Sequence, residues 1–215
     1  MAETAYKYAG TVADPLEGWT NEDYVKADDT SYARCSVPKS NSFPLVLTNF
    51  GFTSTDIPDG STINGIEFVI SRYADTADQV SDTELYLQYN SADVGSNMAS
   101  ATKWPTSIAD ATYGGATNMC GTTLTQANIL DSSFGIKITP LAVDGGKVAY
   151  IDFIKIRVHY TSGSNEFVIA NAASSSSAEN IALTQASGEF AVANAVSTSS
   201  AENIALTQAG GTFSV

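Results

Sequence analysis

The sequence predicts an all-β protein, an antiparallel β-sandwich of the jelly-roll type followed by a short tail of β-repeats. Short apolar runs recur along the first 160 residues, with turn residues such as Asp144-Gly-Gly146 between them. None of these runs has a convincing helical period. Charged residues make up 15% of the chain and aromatic residues 10%, a balance typical of sheets whose surfaces are rich in Ser and Thr.

The clearest strand signal lies at residues 149–160. Apolar residues alternate there with charged or polar ones, with Ile154, Ile156, Val158 and Tyr160 against Lys155, Arg157 and His159. This is the period of a half-buried strand. The parity changes between Phe153 and Ile154, which predicts a bulge or a strand covered on both faces. The segment is predicted as the central strand and as the end of the main domain, 1–161.

Six further runs are predicted as strands, at 6–12, 32–37, 43–48, 63–72, 85–89 and 134–139. The run at 63–72 places Ile66, Phe68 and Ile70 on one face of its strand, and Glu67, Val69 and Ser71 on the other. Pro44 predicts that its strand begins there or lies at a sheet edge. An acidic loop is predicted at 73–82, and 90–121 is predicted as mostly loop with one short strand.

Charge and terminal composition limit the partners that the chain can have. Its 23 acidic and 10 basic residues give a net charge of −13, which would repel phosphate backbones, so no nucleic-acid partner is expected. No basic and apolar signal segment opens the chain, and no apolar run reaches the roughly 18 residues of a membrane span. We therefore expect synthesis in the cytoplasm and no membrane insertion. Cys35 and Cys120 are predicted as reduced structural thiols rather than a disulfide.

The sequence lacks a recognisable catalytic constellation, and we expect no enzyme activity and no cofactor. His159 is the single histidine, it is predicted to face solvent, and no Gly-x-Ser-x-Gly motif is present. Asp82 paired with Glu84 or Glu67 would be the acids of a glycoside hydrolase, but spacing along a strand does not bring them across a cleft. Hydrolysis of a cell-surface polysaccharide is therefore only a remote third hypothesis.

Two further groups of residues have alternative interpretations. Calcium could be held by the oxygen-rich loops containing Asp28, Asp29, Asp75, Asp78 and Asp82, but these lack regular ligand spacing and are interpreted as solvated loops. Trp104, Tyr86 and Tyr113 could form a platform on which a sugar stacks, and packing in a core or an interface is the favoured role.

The C-terminal tail is a repeat. Residues 177–186, Ser-Ala-Glu-Asn-Ile-Ala-Leu-Thr-Gln-Ala, recur at 200–209, which gives a period of 23 residues, and Phe213 begins a third copy. A linker at 162–166 separates the repeats, at 167–215, from the sandwich. Each unit is predicted as a β-hairpin or as one β-coil, and a disordered low-complexity tail is the alternative.

Burial arguments favour a role of this tail in assembly. Each unit offers about three large apolar side chains worth about 1.5–3 kcal/mol each, against an ordering cost of about 1–2 kcal/mol per residue. Two units and a fragment cannot cover their own apolar faces. The predicted oligomer interface consists of Phe167, Ile181, Leu183, Phe190, Ile204, Leu206 and Phe213. A homotrimer is preferred to a dimer by analogy with β-repeat stalks, and strand addition to a neighbouring sandwich is the competing arrangement.

A series of short motifs carries a resemblance to a known family. They are Trp19, Tyr32-Ala33, Leu47-Thr-Asn-Phe-Gly-Phe52, Ile57-Pro58, Ile63-Asn-Gly-Ile66, Arg72, Tyr113-Gly-Gly115, Gly121-Thr122, Phe134-Gly-Ile136, Ile151-Asp152 and Val158-His-Tyr160. In this order, over about residues 19–160, the chain resembles virion structural proteins of tailed bacteriophages and prophages. The resemblance implies a β-sandwich component of a phage particle and transfers no catalytic residue.

Two functions are therefore expected. The first is a non-enzymatic virion protein, a decoration, head-fibre or tail-associated component, made in the host cytoplasm, that assembles with copies of itself and with other virion proteins. The second is an adhesin module that binds a glycan of the host surface through the loop region from Trp104 to Tyr113.

Overall fold

Two antiparallel sheets packed face to face confirm the predicted all-β sandwich. The computed structural model describes residues 1–39 and 43–163, together with the backbone of residues 182–185 and 205–208. The strands of the sandwich are β1 Ala2–Glu3, β2 Lys7–Tyr8, β3 Thr11–Ala13, β4 Trp19–Thr20, β5 Ala33–Val37, β6 Leu45–Thr48, β7 Thr62–Ala74, β8 Val80–Tyr89, β9 Ala92–Val94, β10 Ala109–Gly114, β11 Gly135–Ala142 and β12 Lys147–Thr161.

The larger sheet is built around β12, as the alternation at 149–160 predicts. Its order is β10-β7-β12-β5-β4, and β1 and β2 also pair with β12. Along one side β12 pairs with β7 over almost its whole length, and along the other side it pairs with β5, β2 and β1 in turn. The register shifts between Ile151 and Phe153, which confirms a bulge in this strand and leaves Asp152 as the extra residue.

The smaller sheet has the order β3-β6-β11-β8-β9. The predicted core-facing side of β7, in the larger sheet, is confirmed because Ile66, Phe68 and Ile70 are fully buried, and Val69 and Ser71 on its other side are also buried. The first three share the core with side chains from both sheets, including Leu45, Leu47, Leu85, Leu87, Ile136, Ile138, Ile154 and Ile156. Pro44 lies immediately before β6, so it marks the start of that strand rather than an edge of the sheet.

Two predicted loops contain more strand than the sequence suggested. β7 extends to Ala74 and β8 begins at Val80, so the expected acidic loop at 73–82 shrinks to a short connection. The segment 90–121 contains β9 and β10 instead of one short strand, and β10 contributes Tyr113 to the core. Two short helical segments also occur, a 3-10 turn at Glu22–Val25 and the helix α1 at Gln126–Leu130.

A capping box closes the first turn of α1. This motif depends on two residues three positions apart, so the helix can begin here without an amphipathic period in the sequence. The hydroxyl of Thr125 accepts a hydrogen bond from the amide of Asn128, and Oδ1 of Asn128 accepts one from the Thr125 amide. Ile129 is the residue of this five-residue helix that is buried in the core, so the helix adds one buried side chain to the core rather than a layer.

Two short strands in the repeat region pair with each other. These are β13 Ala182–Gln185 and β14 Ala205–Gln208, which are parallel and pair identical residues, Ala182 with Ala205 and Leu183 with Leu206. Parallel pairing at the repeat period is the arrangement expected between successive β-coils. Of the predicted interface residues, Phe167, Ile181, Phe190, Ile204 and Phe213 lie outside the described residues, as do the side chains of Leu183 and Leu206.

Candidate functional site

Three tyrosines form a cluster on the outer face of the seven-stranded sheet. The rings of Tyr73 on β7 and Tyr150 on β12 are stacked, with centroids 4.4 Å apart and planes 4° from parallel. The ring of Tyr32, just before β5, packs edge-on against both, at centroid distances of 5.4 and 6.4 Å. All three side chains remain partly exposed. We call these three residues the tyrosine surface.

Strand parity places these rings on one face. Tyr73 lies on the outward side of β7, because its neighbours Arg72 and Ala74 are buried in the core. The antiparallel pairing of β7 with β12 places Tyr150 directly opposite Tyr73. Such an aromatic pair contributes about 0.5–1.5 kcal/mol beyond its buried area. Burial raises the pKa of Tyr73, with further increases from its two neighbouring tyrosines, so the phenol stays protonated at neutral pH.

Polar side chains lie beside the tyrosines on this face of the larger sheet. The register places Arg34 of β5 opposite Tyr150, and Thr20 of β4 opposite Arg34. Arg34, Thr20 and the nearby Ser36 are exposed. The row Thr20, Arg34, Tyr150, Tyr73 therefore crosses four strands, about 14 Å at the usual strand spacing. Aromatic rings flanked by donors in such a row can contact an extended ligand that lies across the strands.

Sequence reasoning missed the tyrosine surface. It assigned a possible sugar platform to Trp104, Tyr86 and Tyr113, and the structure does not bring these three together. Trp104 and Tyr113 are 1% and 8% exposed, which confirms the packing role and makes them unavailable for stacking with a ligand. The signal that could have found the surface is the outward parity of Tyr73, which directly follows the strand predicted at 63–72.

A buried polar cluster explains where Trp104 and Tyr113 lie. Asp82 forms an ion pair with Arg72, and its carboxylate accepts hydrogen bonds from Nε1 of Trp104 at 2.8 Å and from the Tyr113 hydroxyl at 2.6 Å. The Ser100 amide donates a further hydrogen bond at 3.1 Å. Burial and the Asp82 charge raise the pKa of Tyr113. The prediction of Asp82 as part of a solvated loop is therefore wrong.

Tyr86 lies apart from this cluster, on the outer face of the smaller sheet. The Lys137 ammonium lies 5.2 Å from the centroid of its ring. That ammonium is held by Asp93 at 2.5 Å and by Glu84 at 3.2 Å. One face of the Tyr86 ring is therefore covered by a cation that has its own carboxylate partners.

His159 is not the solvated strand residue that the sequence suggested. It is 4% exposed, although its strand position faces outward. Its Nδ1 lies 3.3 Å from Glu3 and its Nε2 lies 3.5 Å from Glu67. β1 pairs with this part of β12 and brings Glu3 over the histidine. Pattern analysis could not foresee this, because the covering strand comes from the other end of the chain.

The acidic residues considered for catalysis or metal binding are dispersed. Asp82 lies in the core cluster, Glu84 bonds Lys137, and Glu67 lies on the other sheet. Within residues 1–39 and 43–163, no group of three or more Asp, Glu, His or Cys side chains is placed to hold a metal ion. Cys35 and Cys120 are free and buried, in line with the prediction of reduced thiols, and burial raises their pKa values to about 12 and about 11.

In the described part of the chain, no helix has the length and apolar character needed to cross a bilayer.

No protein-family model and no curated protein matches the chain significantly. Several solved structures of carbohydrate-binding modules show a low structural similarity. The CBM22-1 xylan-binding domain of Paenibacillus barcinonensis Xyn10C has 9% identity and a TM-score of 0.36, covering 73% of this chain and 92% of that chain. TmCBM61 in complex with β-1,4-galactotriose has 10% identity and a TM-score of 0.32, covering 71% and 87%.

The N-terminal cellulose-binding domain of Cellulomonas fimi β-1,4-glucanase C has 12% identity and a TM-score of 0.33, covering 76% of this chain and 90% of that chain. At these identities and TM-scores the similarity assigns neither a family nor a ligand to the chain.

Proposed function

We propose that the sandwich is a non-catalytic carbohydrate-binding module whose ligand lies against the tyrosine surface. The observation that carries this proposal is the packing of three partly exposed aromatic rings, Tyr32, Tyr73 and Tyr150, on the outer face of the larger sheet. Aromatic rings bind the apolar C–H faces of sugars, while their hydroxyl groups and neighbouring polar side chains bind sugar hydroxyls. This face offers both kinds of contact.

Rigidity supports a binding role for this surface. Tyr73 and Tyr150 lie on the two longest strands, which pair from Ala149 to Thr161 of β12, and each ring is fixed by the other two. A tyrosine has few rotatable bonds, and a ring already held in place loses little conformational entropy when a ligand binds. Such a preorganised surface can bind a flexible sugar chain without an enclosed pocket.

Binding to a glycan array, followed by titration calorimetry with the best ligand, tests the proposal. We expect Tyr150→Ala to abolish detectable binding, because it removes one ring of the stacked pair and leaves Tyr73 without its support. The matched control is Tyr86→Ala, a partly exposed tyrosine on the other sheet, which should bind as the wild type does. Circular dichroism checks that both variants are folded.

Two results would contradict the proposal. If the intact chain binds no glycan, or if folded Tyr150→Ala binds as tightly as the wild type, then this surface is not a carbohydrate site.

A second function, a self-assembling structural component, is favoured by a separate observation in the repeats. β13 and β14 pair in parallel with identical residues opposite each other. Among the residues that the structure describes in the repeats, β13 and β14 pair only with each other, which leaves the second edge of each strand available within this part of the chain. Because the two strands have the same sequence, the pairing that joins them within one chain can also join β14 of one copy to β13 of another.

In that role the chain would be a virion component of the kind that its resemblance to phage proteins implies, with the sandwich as the exposed module. The two functions are compatible, since assembly through the repeats would present several tyrosine surfaces at once and increase the avidity for a repeating glycan. The mass of the intact chain in solution is the direct measurement, and a monomer at all concentrations would contradict assembly.

A further inference from the structure

Arg34 is the cationic side chain of the row that contains the tyrosine surface. It lies on β5, directly opposite Tyr150, and two residues after Tyr32. Its outward position follows from the strand parity, because Ala33 and Cys35 on either side of it are buried in the core. The guanidinium therefore projects from the same face as the three rings, and it is exposed.

Arg34 differs from the other two arginines of the chain in its partners. Arg72 is paired with the buried Asp82, and Arg157 is paired with Glu3 and Glu67 at 2.9 and 2.8 Å. Within the described residues, Arg34 has no carboxylate within ion-pair distance and no ring beneath its guanidinium. Acidic side chains are abundant among the described residues, so the lack of an ion pair at Arg34 within this part of the chain is a local feature of the face and not a shortage of acids.

A guanidinium with free donors is well matched to one class of ligand group. Its planar fork of N–H groups binds a carboxylate through two parallel hydrogen bonds, which a neutral hydroxyl group cannot reproduce. The net charge of −13 opposes anions at long range, but salt at physiological strength screens charges beyond about 8 Å. The electrostatic energy of a ligand carboxylate in contact with Arg34 therefore depends mainly on the charge of Arg34.

We propose that the tyrosine surface binds an acidic polysaccharide, with the carboxylate of a uronic-acid-type sugar paired with Arg34 and a neighbouring sugar ring packed on Tyr150. This specificity rests on the proposed carbohydrate-binding function and adds the class of ligand to it. The tyrosines provide the apolar contact and Arg34 distinguishes an acidic sugar from its neutral counterpart. A carboxylate fits better than a phosphate monoester, because its single charge is balanced by the single charge of Arg34, whereas the monoester carries a charge of nearly two.

Matched ligands test the assignment. The probes are oligosaccharides of galacturonic, glucuronic and mannuronic acid, each compared with the same oligosaccharide after chemical reduction of its carboxyl groups. We expect at least one acidic oligosaccharide to bind about tenfold more tightly than its reduced form, a ratio that corresponds to about 1.4 kcal/mol. Phosphorylated oligosaccharides form an additional arm, and tighter binding of these than of the acidic sugars would overturn the choice of a carboxylate.

Variants of Arg34 identify the residue responsible. Arg34→Gln should remove the preference for the acidic form and leave binding of the reduced form unchanged, while Arg34→Lys should retain part of the preference because it keeps the charge and loses the fork. Lys39→Gln, which removes another exposed cation, is the matched control and should bind both ligands as the wild type does. Raising the salt concentration should weaken the acidic ligand more than the reduced one.

The outcomes separate this inference from the function on which it rests. Equal binding of acidic and reduced ligands, or a preference that survives in Arg34→Gln, would overturn the role of Arg34 while leaving a carbohydrate-binding surface in place. Binding of neither form, nor of any other glycan, would overturn the proposed function itself.

Discussion

Asp82 illustrates how a single buried charge organises the surrounding residues. Its carboxylate joins Arg72, Trp104 and Tyr113, which come from different parts of the chain, and the Arg72 guanidinium also lies 4.7 Å from the Trp104 ring centroid. Taking an ion pair out of water is costly unless every donor and acceptor finds a partner. Here four groups satisfy the carboxylate, while Nε of Arg72 has no hydrogen-bond partner among the described residues. Through Ser100 and Trp104, the cluster ties the connection after β9 to the core.

We predict that Asp82→Asn lowers the free energy of unfolding by about 3–5 kcal/mol, because the substitution leaves the buried Arg72 charge without a counter-ion. A chemical denaturation curve measures the change. The matched control is Asp23→Asn, which breaks the exposed ion pair with Lys26 and should cost less than about 1 kcal/mol. Equal losses in the two variants would show that the cluster does not stabilise the fold.

At the scale of elements, the N-terminal strand β1 pairs with the C-terminal part of β12. Arg157 binds Glu3 at 2.9 Å and Glu67 at 2.8 Å, the Tyr6 hydroxyl donates a hydrogen bond to Glu67, and His159 lies between the two glutamates. Burial, followed by the Glu67 hydrogen bond, raises the pKa of Tyr6 to about 12. The first and last strands of the sandwich, β1 and β12, are thus held together by a network of charged and aromatic side chains.

Acid should loosen this network. Burial alone would raise the pKa of Glu67, but the Tyr6 hydrogen bond and the Arg157 charge outweigh it and hold the value below the ordinary 4.5. A carboxyl whose pKa is lower in the folded state than in the unfolded state stabilises the fold above the unfolded value, and this contribution disappears as the pH falls through the folded value.

We therefore predict that Glu67→Gln destabilises the protein at pH 7, and that the difference from the wild type shrinks as the pH falls below 4.5. Thermal unfolding at pH 7, 5 and 3 measures this difference. Glu17→Gln, at an exposed turn, should follow the wild type at all three pH values. A Glu67→Gln difference that is constant over this range would contradict the electrostatic explanation.

At the scale of the whole molecule, the chain divides into two compact units. One consists of residues 1–57 and 62–161 and contains both sheets of the sandwich, and the other consists of residues 58–61 and 162–215. All core residues of the sandwich lie within the first unit. This unit buries an apolar core of its own, whereas the described strands of the second unit, β13 and β14, form the two-stranded parallel sheet.

The assembly hypothesis leads to a prediction at this scale. A chain ending at residue 163 should be a folded monomer, whereas the intact chain should form an oligomer whose mass increases with concentration. Multi-angle light scattering measures both masses. Replacing Leu183 and Leu206 together by Asp should mimic the truncation, since an unpaired charge is costly at a buried contact. An oligomer that survives both changes would show that the repeats do not hold it together.

The sequence alone determined the fold class, the central strand and the core-facing residues of the strands at 63–72 and 154–160. These properties are local, since alternation with a period of two assigns Ile66 and Ile154 to the core and Glu67 and Lys155 to the outer face whichever strands are neighbours. The bulge near Phe153 was predictable for the same reason, because it changes the parity within one segment. The 23-residue repeat was equally visible, since it requires only that the chain be compared with itself.

Tertiary structure decided which outward residues meet and which become covered. Tyr32, Tyr73 and Tyr150 are distant in the chain and adjacent only because β5, β12 and β7 are neighbours in the sheet. His159 is outward by parity yet buried, because β1 lies beside it. Pairing between distant strands depends on the packing of the whole core, and a local sequence pattern does not contain that information. The core residues could therefore be predicted from the sequence, whereas the candidate site could be found only in the folded structure.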